Sequence, residues 1–498
     1  MRKSFNIGCT VLIAIPVLIL VGFYMYLYGS QTWHNFVQLA WAGAYWLVPL
    51  VLAIVSGIFA YAQSRLSLGF LSALFGGVMI VTLIIAPYQR ALNYLETVEV
   101  QEVESNELSF RERAPYDVAV AMSKRNMGDT VGTATGYIKA IPALGDHGMY
   151  STSLERREYF TGYESTQFMQ VPLYGQARSS EVEMCDWSED ASLRFGGMAP
   201  GNNLARAIYQ QTPAHVSVAE RDHVVVCEDD RPILYAPLIK LSGFPFAIEV
   251  PAGVAIYDGK TGELTIEENY EGEIPVYPSG ISAKQRVSTH ASEGWIDYMF
   301  RHRAGWEDTA SDESDPNGNN RAEFNLASED ASETYKVTPL TRRGDAQSII
   351  GLGTLQANKV ESGKLNTYHV NRYPEGEHRQ ANSTVADTIT ADILGGYRAS
   401  GLTVFEVVPS LDGTWRATVG KAQSINYRAI IDVDGNVELY DSNGNRVGGD
   451  RDSTSEDGEA PDLDLGQPLD QMSPDELRDA MDMILDELSE RANQASAE

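Results

Sequence analysis

The chain has 498 residues, with 68 Asp plus Glu against 38 Lys plus Arg and a formal net charge of −30. Its charges are segregated: residues 1–95 hold no acid and only Arg2, Lys3, Arg65 and Arg90, so the remaining 403 residues carry all 68 acids against 34 bases, a net of −34. A field of that sign repels phosphate, which excludes nucleic acid as a partner of this part and leaves most of the acidity as solubilising surface.

Three uncharged apolar runs, Ile7–Tyr28, Ala40–Ala62 and Leu66–Ala86, each match the roughly 20 residues a helix needs to cross a bilayer core. The first is read as a span, not a cleaved leader, because it is too long and lacks a small-x-small cleavage site. Cys9 begins that run and is a small apolar helix residue. The stretch "GSQTWHNFVQ" between the first two runs has no Lys or Arg and reads as an outer loop. Arg2, Lys3 and Arg65 favour a cytoplasmic N-terminus with everything after about residue 90 outside; Arg90 alone dissents. Tyr24, Tyr26, Tyr28, Trp33, Trp41 and Trp46 suit the outer interface. Gly69, Ala73 and Gly77 on the third run, and Ala53 and Gly57 on the second, recur every four residues, as close helix packing requires. Packing within one chain is the simpler use of that spacing, and a homo-oligomer is the other. No ionisable residue lies within a span, which argues for an anchor over an ion or proton pathway.

From Glu96 the pattern turns to short runs of β-branched and aromatic residues between Gly, Pro, Asn and Asp, the signature of strands and turns. Strands are predicted in "DTVGTATGYIKAI", "ESTQFMQVPLYG", "HVVVCE", "PILYAPLIKL", "AIEVPAGVAIY" and "GELTIEE". Helices are predicted at 116–126, 201–211 and 283–303. "YAPLIKLSG…GVAIYDGKTGELTI" is echoed by "KVTPLTRRG…GTLQANKVESGKLNTY" about 102 residues later, with Pro237 and Pro339 in register and Gly262 matched to Gly363. This predicts an internal duplication. A further hairpin is expected in "YRAIIDVDGNVELYD", turning at Asp434-Gly435.

The "GKT" of Gly259–Thr261 resembles the tail of a phosphate-binding loop, but the preceding Gly253 is one residue too far away and strand flanks it on both sides. With no helix start to hold an anion, the stretch reads as a β-hairpin. Cys185 and Cys227, the two cysteines beyond the spans, suggest one disulfide in an oxidising compartment. His215, Glu220, Asp222 and His223 cluster without metal-ligand spacing. Glu313, Asp315, Asn317 and Glu323 approximate a calcium loop, but the first position and the final acid depart from the pattern, so a flexible acidic loop is the default. No catalytic motif stands out, and no cofactor is assigned.

After Asp441 the apolar pattern is lost and a disordered acidic linker is expected. It leads to "SPDELRDAMDMILDELSERANQ", where Ser473 and Glu476 form a capping box and Leu477, Met481, Ile484 and Leu488 line one face. A helix of that kind docks on a protein groove or folds back on its own chain.

The expected class is therefore a membrane-anchored α+β protein: three N-terminal transmembrane helices, then a β-rich, two-lobed extracytoplasmic domain with internal duplication. The segments are an anchor at 1–95, an α+β lobe at 96–306, an acidic loop at 307–325, a β-rich lobe at 326–441, the linker at 442–472 and the amphipathic helix at 473–493. The leading functional expectation is a non-catalytic, integral membrane interaction or envelope-assembly protein, partnered through the C-terminal helix or the ectodomain. The alternatives are an extracytoplasmic hydrolase with a site of dispersed residues and a ligand-sensing accessory subunit of a membrane complex.

Overall fold

The computed structural model describes residues 7–63, 66–102, 203–219, 222–308 and, with short breaks, 323–449; between 103 and 202 it describes short stretches only. The predicted helix at 116–126, apart from Ala119, and the C-terminal helix at 473–493 lie outside the described residues.

Three helices open the chain: α1 (Ile7–Ala42), α2 (Ala44–Gln63) and α3 (Leu66–Leu95). Among the described residues α2 and α3 are long and apolar enough to cross a membrane. They pack antiparallel. Ser72 Oγ donates to Ala53 O at 2.7 Å and Thr82 Oγ1 to Tyr45 O at 2.7 Å. Gly57 lets Ser72 approach. Ala53 and Gly57 thus serve the seam, but Gly69 and Gly77 do not, because the space at their Cβ positions is open. Among the described residues the Gly69–Ala73–Gly77 stripe therefore lies outside the α2–α3 seam.

The outer loop predicted at 29–38 is also corrected, since α1 runs unbroken to Ala42. Its last third has a side to bury: Gln31, His34 and Trp41 fall on one stripe and meet the β-rich region. His34 Nε2 lies 3.1 Å from Thr212 O, and Trp41 Nε1 donates to Gly243 O at 2.9 Å.

The β-rich region holds several sheets. In one, Leu264–Glu267, Ile248–Asp258 and Arg231–Ser242 are consecutive antiparallel neighbours. On the far edge of Arg231–Ser242, Val224–Glu228 covers its first half and Val216–Val218 its second. In another, Tyr368–Arg372, Gly351–Gln356 and Thr334–Arg342 repeat that order. There Phe324–Ala327 covers the first half of Thr334–Arg342 and Trp306–Asp308 the second. Pro237 and Pro339 stand at the two changeovers, where a residue with no N–H costs the ladder least. Val98–Glu102, directly after α3, adds a parallel strand beside Tyr368–Arg372.

These two sheets share a core that includes Tyr94, Ile141, Val226, Val254, Leu340, Leu355 and Val370. The helix α4 (Leu204–Gln211), capped by Asn203, packs on the other side of the first sheet. The GKT stretch closes a hairpin: Asp258 Oδ1 accepts from the N–H groups of Lys260 and Thr261, and the strands 248–258 and 264–267 pair. Gly253 sits at φ +106°, with Glu267 O in the way of any Cβ, so only glycine fits.

The predicted 283–303 helix is broken into α5 (Ser279–Ser288), a 3-10 turn at Thr289–Ala291 and a π-helical turn at Asp297–Arg301. Gly294, at φ +93°, makes the break. A five-stranded antiparallel sheet from Thr403 to Gly449 contains the predicted Asp434-Gly435 hairpin and packs Trp415, Val419 and Ile431 against the helix α6 (Asn382–Thr388). Strands at Trp306–Asp308 and Phe324–Ala327 narrow the expected acidic loop, and Arg446–Gly449 forms a strand where linker is expected.

Candidate functional site

Two places gather chemically capable side chains. The first is an ionic cluster at the start of α5. Lys336, from the middle of Thr334–Arg342, is 7% exposed and lies 3.0 Å from Glu323 Oε1. Its ammonium also donates to Ser279 Oγ. Ser282 Oγ donates to Glu323 Oε2 at 3.2 Å. Asp222 Oδ2 accepts from Ser279 N at 2.8 Å, supplying the anionic cap that Pro278, the residue before α5, does not. Lys139 Nζ lies 3.8 Å from Asp222 Oδ1, and burial drives the Lys139 ammonium below its ordinary value.

A lysine beside a serine is a known nucleophile arrangement, but there the amine must accept the serine's proton. Here Lys336, itself buried, donates to both neighbours. The arrangement is a clamp that fixes the start of α5 to the strand Thr334–Arg342 and to the segments that carry Lys139, Asp222 and Glu323. Nearby, Arg286 Nη2 donates to Asp308 Oδ2 at 2.6 Å, and burial pushes the Tyr368 hydroxyl up to about 12.

The second place is a cleft of about 480 Å³ where α3 meets α5. Pro87, Ala91 and Val287 give it apolar walls, and Arg90, Glu249 and Lys284 are its charged members. Lys284 Nζ pairs with Glu249 at 2.5 Å. Arg90 stacks on the Tyr45 ring and donates to Ala42 O. Around the cleft α3 is bonded to the β-rich region. Tyr94 Oη donates to Glu249 O at 3.1 Å and accepts from Glu249 N at 2.9 Å, and Asn93 Nδ2 donates to Phe246 O at 3.1 Å.

The predicted site residues fall as follows. Cys185 and Cys227 form a disulfide with Cα atoms 6.0 Å apart. Glu323 is held by Lys336 and Ser282, while Glu313, Asp315 and Asn317 lie outside the described residues, as do Leu477, Met481, Ile484 and Leu488. Ala73 and Gly77 line an open apolar groove on α3 with Phe70, Leu74, Val78 and Val81. The His215 ring lies tilted against Trp41, with centroids 5.7 Å apart, whereas Asp222 belongs to the ionic cluster. Among the described residues no group of three or more His, Cys, Asp or Glu is placed to hold a metal. Sequence reading missed Lys139, Ser279, Ser282 and Lys336, which come from three separate segments. The one local signal was a lysine inside the apolar run "TYKVTPL".

Comparison of the chain with protein-family models, curated proteins and solved structures finds no match.

Proposed function

We propose that the protein is a non-catalytic, multi-pass membrane protein that holds a β-rich interaction platform on the outer side of a cell membrane and presents its C-terminal helix to a protein partner. The observation that carries this reading is the bonded junction. Tyr94 and Asn93 of α3, and His34 and Trp41 of α1, fix the β-rich region to the helices at backbone groups, as a platform needs and a flexible tether does not provide. In this reading α2 and α3 cross the bilayer with Arg65 inside, and the apolar first part of α1 forms a third span that brings Arg2 and Lys3 to the same side. The two sheets around Pro237 and Pro339 are duplicated modules, supported by their common strand order and common changeover. For the hydrolase alternative the described residues offer serines bonded to lysines, Ser279 to Lys336 and Ser362 to Lys240, and in each the amine donates to the serine instead of accepting its proton.

The topology is tested by a membrane-impermeant thiol reagent on whole cells, in a Cys9→Ala background. Lys260→Cys is expected to react from outside, and Ser4→Cys only after permeabilisation. Outside labelling at position 4 would remove the first span, and protection at 260 would reverse the orientation.

The functional proposal is tested by crosslinking in native membranes and affinity capture of the full chain beside a chain ending at Gly466. A stoichiometric partner lost on truncation is the expected result. Identical captures, or none from either chain, would overturn docking through the C-terminal helix.

A further inference from the structure

Outside α1–α3, the large apolar side chains left exposed among the described residues are Val100, Met184, Phe244, Val287, Ile296 and Phe300. Four of these six occur on segments that touch the outer ends of the helices. Phe244 is 71% exposed and follows Gly243, whose carbonyl holds Trp41. Val287 lines the cleft beside Pro87 and Arg90. Ile296 and Phe300, 57% and 68% exposed, flank Tyr298, whose ring lies 5.6 Å from that of Tyr88. Trp295 packs edge-on against Phe300 at 5.5 Å.

The depth of these segments follows from the helices. At 1.5 Å per residue, Leu66 to Tyr88 rises about 33 Å and Gln63 to Ala44 about 28 Å, against a hydrocarbon core of about 30 Å. Tyr88, the Gly43 joint and everything touching them therefore stand at the level of the outer lipid headgroups. At that level an apolar or aromatic side chain has a use that it lacks in water.

Charge points the same way. In a region with a net of −34, Phe300 is followed by Arg301, His302 and Arg303, all exposed. Asp297 fixes this tripeptide by accepting from Arg303 N and Ala304 N at 3.1 and 2.9 Å. Glu293 is the exposed acid nearby in sequence. Aromatic and aliphatic side chains next to arginines are the composition of a segment lying at a phosphate-bearing interface.

We infer that the segment Trp295–Arg303 and the loop bearing Phe244 form a collar seated in the outer leaflet of the same bilayer, with Phe244, Ile296 and Phe300 at the glycerol level and Arg301 and Arg303 at lipid phosphate. This rests on the reading of α2 and α3 as membrane spans. The collar fixes the direction in which the platform faces: the strand Ile248–Asp258 leaves it and carries the Lys260 hairpin about 33 Å away.

The test uses the full chain with Cys9→Ala in nanodiscs of phosphatidylcholine and phosphatidylglycerol. An environment-sensitive fluorophore is placed by Phe244→Cys, Phe300→Cys, Leu83→Cys or Lys260→Cys, and quenching by shallow spin-labelled lipid is read. The expected result is at least twofold quenching at 244 and 300, quenching at 83 and none at 260. Quenching at 83 with 244 and 300 no different from 260 would overturn the collar and leave the spans standing. No quenching at 83 would overturn the spans and the collar together.

Discussion

Replacing Lys336 by methionine is expected to destabilise the protein by about 3–5 kcal/mol, the usual cost of removing one partner from a buried ion pair. Replacing Lys139 by methionine is expected to leave its stability unchanged or raise it. Both lysines lie in the same cluster, so the contrast must come from their partners. Lys336 sits 3.0 Å from Glu323 and also bonds Ser279, so its loss leaves a carboxylate, 12% exposed, with only Ser282 to hold it. Lys139 is 3.8 Å from Asp222, and that carboxylate keeps its bond from Ser279 N when the lysine goes. Burial has already lowered the Lys139 proton affinity, so the folded state binds fewer protons than the unfolded one between the lowered value and the ordinary 10.5. Its handicap is full below that window and fades as pH rises through it. The advantage of Lys139→Met is therefore expected at neutral pH and should vanish near pH 10.5. Thermal unfolding of the full chain in nanodiscs across that range checks both claims. Lys336→Met combined with Glu323→Leu should regain most of the loss. Equal damage from the two single variants would show that the cluster is not the clamp described.

Much of the chain was legible because its signals are local. Alternation in "PILYAPLIKL" and "AIEVPAGVAIY", with Asp258 and Gly262 between strands, is enough to specify the hairpin. The apolar runs of α2 and α3 announce themselves by length alone. What escaped depends on partners distant in sequence. Nothing near Gln31, His34 and Trp41 says that a β-rich surface 170 to 200 residues later will bury them, and without that surface "GSQTWHNFVQ" looks like a loop. Asp222 and Ser279 are 57 residues apart, and Ser282 and Glu323 are 41 apart. No motif spans such gaps. The Gly69–Ala73–Gly77 stripe shows the same limit: its spacing gives a face but not the neighbour, and in the structure that face lies outside the α2–α3 seam.

Removing the disulfide by Cys185→Ser with Cys227→Ser is expected to cost about 4 kcal/mol by loop-closure entropy, a fall in melting temperature of roughly 4 °C for a unit of this size. The bond joins strands 42 residues apart, Glu183–Asp186 on one sheet and Val224–Glu228 on another. Among the described residues it is the one covalent tie between these sheets, beside hydrogen bonds such as Ser151 Oγ to Val225 O at 2.6 Å and Tyr257 Oη to Ala191 O at 2.8 Å and the apolar packing of Ile141 and Trp187. Loss should therefore be regional. Limited proteolysis is expected to speed up within 149–186 and to leave 324–372 as resistant as before, since that half is held by its own sheet and by the Lys336 clamp. Uniform acceleration would mean that the two regions unfold as one unit and that the bond stabilises the whole. The same pair reports on topology. A bond formed in cells requires an oxidising compartment, so alkylation of intact cells followed by a mass shift should find Cys185 and Cys227 protected until a reductant is added. Two thiols alkylated without reductant would place the β-rich region on the reducing side of the membrane. The platform would then face inward, carried by the same helices and the same junction.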